Sequence, residues 1–230
     1  ADLMNLISDI LDLSKIESGT VTVEPEEVSF ARLRDAVERS FRHVAETKHL
    51  AFDIELDPEL PRSMNTDVKR LQQVLKNLLS NAFKFTAHGQ VSFRVGLASS
   101  GWSFEHALLN RASRVIAFEV RDTGIGIAPD KQRIIFEAFH QADAGTSRRY
   151  GGTGLGLAIS RELAILLGGE IRLSSMPTQG STFALYLPET YVGAVLAPST
   201  DLRPTVTAAP LIVQQAQKVE AIDDDRESVL

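Results

Sequence analysis

The 230 residues contain no cysteine, so neither a disulfide framework nor a cysteine–zinc site is available. The five histidines are scattered, without H-E-x-x-H or a similar spacing, and read as surface or loop histidines rather than metal ligands. No apolar run approaches the ~18–20 residues needed to cross a bilayer, and no signal peptide precedes the first helical pattern, so the expectation is a soluble, cytoplasmic piece. Basic residues are in the minority, 24 Lys and Arg against 30 Asp and Glu, and a net charge of −6 argues against a nucleic-acid partner that needs a basic surface. With 43% hydrophobic residues the chain can bury a sizeable core, and one main globular domain with appendages is expected.

What the chain does have is concentrated in residues 119–160, EVRDTGIGIAPDKQRIIFEAFHQADAGTSRRYGGTGLGLAIS. An apolar strand ends on a carboxylate, Asp122, followed by a turn with Gly124 and Gly126, a short helix, a polar loop, and a second glycine cluster that opens a helix. A buried carboxylate beside close-approach glycines can accept from an exocyclic amine, and backbone N–H groups at a helix N-terminus suit phosphates. These are the two ends of a nucleotide. The cluster Gly151, Gly152, Gly154 and Gly156 is not a P-loop, because no Lys-Ser/Thr follows, and it does not fit G-x-G-x-x-G, which disfavours a dinucleotide fold.

A third piece lies upstream. Asn77, Asn81 and Lys84 fall at i, i+4 and i+7 on one helix face, beside an apolar face of Val74, Leu75, Leu78, Leu79 and Ala82. A solvated polar stripe would more typically use Glu and Lys than paired Asn, a poor helix former. Asp67 is a candidate N-cap of this helix and Ser29 of an earlier one that buries Leu33, Val37, Phe41 and Val44.

In their order, NLLSNAFKFT, DTGIGI, FEAF and GGTGLGLAIS resemble the N, G1, F and G2 boxes of sensor histidine kinases, within the wider ATP-binding group of DNA gyrase, Hsp90 and MutL. The resemblance covers about residues 1–190 and implies ATP and Mg²⁺ as cofactors. It implies that Asn81, with Asn77 nearby, holds Mg²⁺, that Lys84 approaches the phosphates and acts with Asn81 in catalysis, and that Phe85 lines the nucleotide. It further implies that Asp122 accepts from the adenine amino group, that Gly124 and Gly126 let the base approach, and that Gly152, Thr153, Gly154, Leu155 and Gly156 form the loop over the triphosphate. Phe136 and Phe139 would anchor a lid of about residues 140–150, whose Arg148 and Arg149 could meet phosphate or a partner's carboxylate. The implied fold is an α/β two-layer sandwich, a mixed, mainly antiparallel sheet covered by three helices, preceded by a coiled-coil-like helix.

Residues 1–19 carry a stripe of Leu3, Leu6, Ile10 and Leu13, widened by Ile7, which fits a coiled-coil or bundle face. LDLSKIESG resembles the closing phrase of the family's dimerisation and phosphoacceptor hairpin, implying a homodimer through this helix in the full protein. The acceptor histidine of that hairpin would sit in a box like S-H-E-L-R-T-P, and none of His43, His49, His88, His106 and His140 has those neighbours. The expectation is a chain that cannot phosphorylate itself and serves a hairpin histidine and, beyond it, a response regulator or receiver domain. Membrane anchoring, to the inner membrane, would come only through regions outside this sequence.

Residues 20–188 read as the catalytic ATP-binding domain. A strand is expected at 20–24, a half-buried strand at 50–56, an antiparallel pair at 91–97 and 114–120, and a closing hairpin at 170–175 and 181–187. The long connection 98–113, with Trp102, Phe104, Leu108 and Leu109, is too apolar for a solvated loop and is expected to pack over the sheet edge. Residues 189–217, rich in Ala, Pro, Thr, Val and Gln, read as a linker. Residues 218–230 read either as the truncated start of a receiver domain, with Asp223 and Asp224 at its acidic corner, or as a charged tail.

Two other functions stay open on the sequence: an ATPase of the gyrase, Hsp90 or MutL type, and a non-catalytic nucleotide-binding dimerisation module. Those ATPases resemble this chain but typically place a Glu one turn before the Asn, where this chain has Asn77.

Overall fold

A computed structural model of the chain describes residues 2–139 and 154–193. In order they form α1 (Asp2–Glu17), β1 (Glu26–Ser29), α2 (Phe30–Lys48), β2 (Ala51–Leu56), β3 (Ser63–Thr66), α3 (Val68–Phe85), β4 (Gln90–Ala98), α4 (Ala107–Arg111), β5 (Val115–Asp122), a 3₁₀ turn (Ile134–Phe136), α5 (Gly156–Leu166), β6 (Glu170–Met176) and β7 (Gly180–Pro188).

Five strands make one sheet in the order β2-β4-β5-β7-β6, antiparallel throughout except for the parallel β2/β4 pair. Alternation along the strands sends Val91, Phe93, Val95, Ile116, Phe118, Val120, Phe183, Leu185 and Leu187 to one face, where α2, α3 and α5 bury their apolar stripes. The expected mixed, mainly antiparallel sheet under three helices is the observed fold.

The helix starts follow their caps. Ser29 Oγ accepts from Arg32 N at 3.5 Å, and Asp67 Oδ1 accepts from Arg70 N at 3.0 Å. Asp67 Oδ2 also accepts from Glu24 N at 3.1 Å, so the buried cap ties the start of α3 to the chain entering the domain.

Residues 20–24 are not the expected strand. Thr20 N–H and hydroxyl both bond Lys15 O at the end of α1, Glu24 N–H bonds Asp67, and Pro25 has no N–H to offer a ladder. The first strand is Glu26–Ser29, which pairs with β3 outside the main sheet. That small sheet is extended by Asn65, whose N–H donates to Glu189 O at 2.8 Å and whose carbonyl accepts from Tyr191 N at 2.9 Å.

Segment 98–113 lies over the second face of the sheet and reaches its β6 edge, where Ser103 N–H donates to the Glu170 carboxylate at 3.1 Å. Small residues Ala117 and Ala184 leave room there, and Leu109 of α4 joins Val115 and Tyr186 in a second, smaller core. Trp102 packs tilted on Tyr186 with ring centroids 5.7 Å apart and donates from Nε1 to Asn110 Oδ1 at 2.8 Å. In α1 the apolar stripe is divided: Leu13 and Ile16 pack against the main core, whereas Ile7 and Ile10 are exposed. No helix among the described residues is long and apolar enough to cross a membrane.

Candidate functional site

Helix α3 is the spine of the site. Leu71, Val74, Leu75, Leu78, Leu79, Ala82 and Phe83 are buried, and Asn77, Asn81 and Lys84 stand half-buried on the flank that the apolar stripe leaves over. Its C-terminus is fastened at three carbonyls: Ala82 O accepts from Thr86 N–H and hydroxyl, Phe83 O from Lys48 Nζ, and Phe85 O from Ile125 N–H at 3.4 Å. Lys48 and Thr86 were not evident as contributors from sequence; a lone lysine 35 residues from its acceptor leaves no local pattern.

Asp122 ends β5 between its register partners Val91 on β4 and Ser181 on β7, and is 5% exposed. Its carboxylate accepts from the backbone N–H groups of Gly124, at 2.8 Å, and of Ser181. Burial pushes the carboxyl above the usual carboxylate range, and those two N–H groups offset part of that rise.

The loop after Asp122 runs against two other elements. A Cβ on Gly124 would stand 2.4 Å from Phe85 O, and one on Gly126, whose φ is +67°, 2.0 Å from Met176 O. Both glycines therefore have a reason to lack a side chain in the packing of protein backbone on protein backbone, besides any approach of a base. Thr178 N donates to Ile125 O, and Ile127 N to Ser175 Oγ, both at 2.8 Å, which fixes the loop to the β6–β7 turn.

The third wall is α5. Gly154, with φ +73°, turns the chain into this helix, and Leu155 at its start is fully buried. One turn in, α5 touches α3: Asn77 Nδ2 donates to Ser160 Oγ at 2.8 Å, and a Cβ on Gly156 would lie 2.4 Å from Asn77 Oδ1. Ser160 was missed in the sequence; a lone hydroxyl in the apolar run GLGLAIS was the one local signal, and its partner lies on another helix.

The predicted residues thus share one flank. Asn77 marks the α5 end, Phe85 the Asp122 end, and Asn81 and Lys84 lie between them. Phe85 lies eight positions after Asn77 along α3, about 12 Å at ~1.5 Å per residue. Lys84 Nζ sits 5.0 Å from the Phe85 ring centroid, and burial lowers the lysine below its ordinary value. A half-buried ammonium and a buried carboxyl, each penalised in its charged form, favour a ligand that brings phosphate to one and a hydrogen-bond donor to the other.

Mg²⁺ takes oxygen ligands and is usually held by one or two protein groups together with substrate phosphates. Among the described residues no group of three His, Cys, Asp or Glu could hold a metal by itself, whereas Asn77 and Asn81 place two neutral amides on the flank of α3. That donor set fits a cation carried in with a nucleotide. Of the expected phosphate loop, Gly152 and Thr153 lie outside the described residues, as do the lid at 140–150 and Arg148 and Arg149. Phe136 packs edge-on to Phe183 with centroids 6.3 Å apart, whereas Phe139 is exposed.

Residues 66–191 match the family described as "Histidine kinase-, DNA gyrase B-, and HSP90-like ATPase". Over 186 residues, 81% of this chain, the sequence is 40% identical to hybrid signal transduction histidine kinase B of Dictyostelium discoideum, covering 9% of that protein. It is 37% identical over 186 residues to signal transduction histidine-protein kinase BarA of Escherichia coli K12, covering 81% of this chain and 19% of BarA. With sensory/regulatory protein RpfC of Xanthomonas campestris pv. campestris the identity is 37% over 203 residues, 88% of this chain and 27% of RpfC. The chain therefore spans well under a third of the length of these relatives. Among solved structures, full-length ShkA in complex with AMPPNP superposes with a TM-score of 0.66 at 29% identity, covering 81% of this chain and 35% of ShkA.

Proposed function

This chain belongs to the histidine kinase-, DNA gyrase B- and HSP90-like ATPase family, and from that premise we propose that it is the ATP-binding catalytic part of a hybrid sensor histidine kinase. In this reading the adenine amino group donates to Asp122, the base lies along Phe85 and the 122–126 loop, and Lys84 and the start of α5 receive the phosphates. Asn81 and Asn77 would hold Mg²⁺, which when bound neutralises phosphate charge. Gly152, Thr153, Gly154, Leu155 and Gly156 would shape the loop beside the triphosphate. The AMPPNP-bound ShkA structure and the relatives named hybrid histidine kinases support this reading.

Phosphoryl transfer asks the protein mainly for positioning and charge stabilisation. The α3 flank offers amides and an ammonium but no carboxylate to activate water, and position 77 is an amide held by Ser160. That single observation favours transfer to a positioned nucleophile over hydrolysis. The nucleophile would be a histidine of a dimerisation hairpin, with α1 as the pairing helix, residues 20–188 as the catalytic domain and a receiver as the downstream partner; of the expected linker 189–217, Glu189 and Tyr191 are bonded to Asn65 of the domain, and residues 194–230 lie outside the described residues.

The discriminating experiment is steady-state ATP hydrolysis measured beside ATP binding. Mg²⁺-dependent ATP binding with negligible release of free phosphate is the expected result; sustained multiple turnovers without an acceptor would point to an ATPase instead.

A further inference from the structure

We infer that Ser160, together with Gly156, is a positioning clamp for the Asn77 amide, and that this clamp couples the phosphate end of the proposed nucleotide site to its cation-holding side chains. The inference rests on the nucleotide-site reading above.

Ser160 is 1% exposed on a helix whose other buried residues are Ala158, Ile159, Leu163 and Ala164. A hydroxyl at such a position is unfavourable unless bonded, and its partner is Asn77 Nδ2 at 2.8 Å, across 83 residues of sequence. Gly156 lies one turn earlier on the same face of α5. Any side chain there would meet Asn77 Oδ1, 2.4 Å from where a Cβ would stand. The amide therefore occupies a slot with a hydroxyl on its nitrogen side and bare backbone on its oxygen side.

The terminal torsion of asparagine is broad and roughly two-fold, so an unclamped amide can rotate and exchange oxygen for nitrogen. Only the oxygen can serve a cation. Ser160 faces the nitrogen and the Gly156 backbone faces Oδ1, so the contact holds the plane and position of the amide between two unlike neighbours. Because Gly156 is the first residue of α5, the same contact ties the Asn77 amide to the helix N-terminus proposed to receive phosphate. Cation and phosphate binding are thereby linked through one side-chain pair.

The test is calorimetric ADP binding to the full chain, with and without Mg²⁺, in wild type, Ser160→Ala, Asn77→Ala and the double variant, with Tm measured alongside. Ser160→Ala is expected to shrink the Mg²⁺-dependent gain in affinity about 3- to 10-fold, the range of one hydrogen bond, while metal-free affinity stays within about twofold. The double variant should be no worse than Asn77→Ala, since residues acting through one contact are non-additive. If Ser160→Ala lowers Tm but keeps the wild-type Mg²⁺ gain, or if the two effects add, the clamp is refuted while the nucleotide site stands. A wild-type chain with no nucleotide binding, or none that responds to Mg²⁺, overturns the nucleotide-site reading and the clamp with it.

Discussion

Phe85 and Gly124 meet backbone to backbone: the carbonyl that ends α3 lies 2.4 Å from where a Gly124 Cβ would stand, and it accepts from the next residue's N–H at 3.4 Å. The end of the asparagine helix and the turn after Asp122 are thus one unit. Gly124→Ala forces them apart, and overpacking of this kind costs about 1–3 kcal/mol, or a Tm lower by roughly 3–10 °C for a domain of this size. Nucleotide affinity should fall with it, because the Gly124 N–H also holds the Asp122 carboxylate. A thermal melt and a binding titration on the same variant check both.

The raised Asp122 carboxyl would make the proposed adenine contact pH-dependent. Desolvation disfavours its charged form, so in the folded chain the group ionises at higher pH than in the unfolded one. Its effect on stability is therefore most favourable in acid and declines as pH rises from the unfolded value through the folded one. If the ionised form accepts from the adenine amine, affinity should climb over that upper window, with proton release on binding that calorimetry in buffers of different ionisation enthalpy detects. Asp122→Asn should flatten the profile and weaken binding by roughly 1.5–3 kcal/mol, the value of a hydrogen bond to a charged group. An unchanged profile would contradict the adenine assignment.

Lys84 is tested by separating base from phosphate. Burial lowers its pKa, so an arriving phosphate restores a favourable environment for the ammonium. Lys84→Met should weaken ATP binding about 10-fold or more, the range of a charge-assisted contact, while adenosine affinity changes less than about twofold. Equal losses for both ligands would place Lys84 outside the phosphate end.

Residues whose role is local were legible in the sequence. The face of Asn77, Asn81 and Lys84, the caps Ser29 and Asp67, and Asp122 at a strand end each follow from spacing within one element, whereas the sheet class was implied by the family resemblance. Features that depend on distant partners were not legible. Glu26–Ser29 and Ser63–Thr66 are short and carry little alternation; they are strands because they pair with each other. Residues 20–24 alternate well, yet their N–H groups find helix-end and cap acceptors first. Segment 98–113 was visibly apolar, but its seat depends on Ala117 and Ala184, small residues on strands read only for their buried face. Ser160 needed the crossing of α3 and α5 to acquire its partner.

The same segment supplies a control remote from the nucleotide flank. Trp102 packs on Tyr186 and bonds Asn110, all on the second face of the sheet. Trp102→Ala should destabilise by about 1–3 kcal/mol, less than a fully buried tryptophan because this one is half-exposed. Nucleotide affinity should be unchanged when measured well below the variant's Tm. A selective loss of binding with Tm intact would mean that this face contributes to the ligand site after all.

The most direct measurement of the proposed function is transfer of label from γ-labelled ATP, with Mg²⁺, to a separately supplied dimerisation hairpin from the same full-length protein carrying its acceptor histidine and the α1 pairing helix. Acid-labile, alkali-stable label on that hairpin, absent from the chain alone and lost in Asn81→Ala, is the expected result. An unlabelled hairpin, even when joined covalently to this chain and with ATP bound, would contradict it.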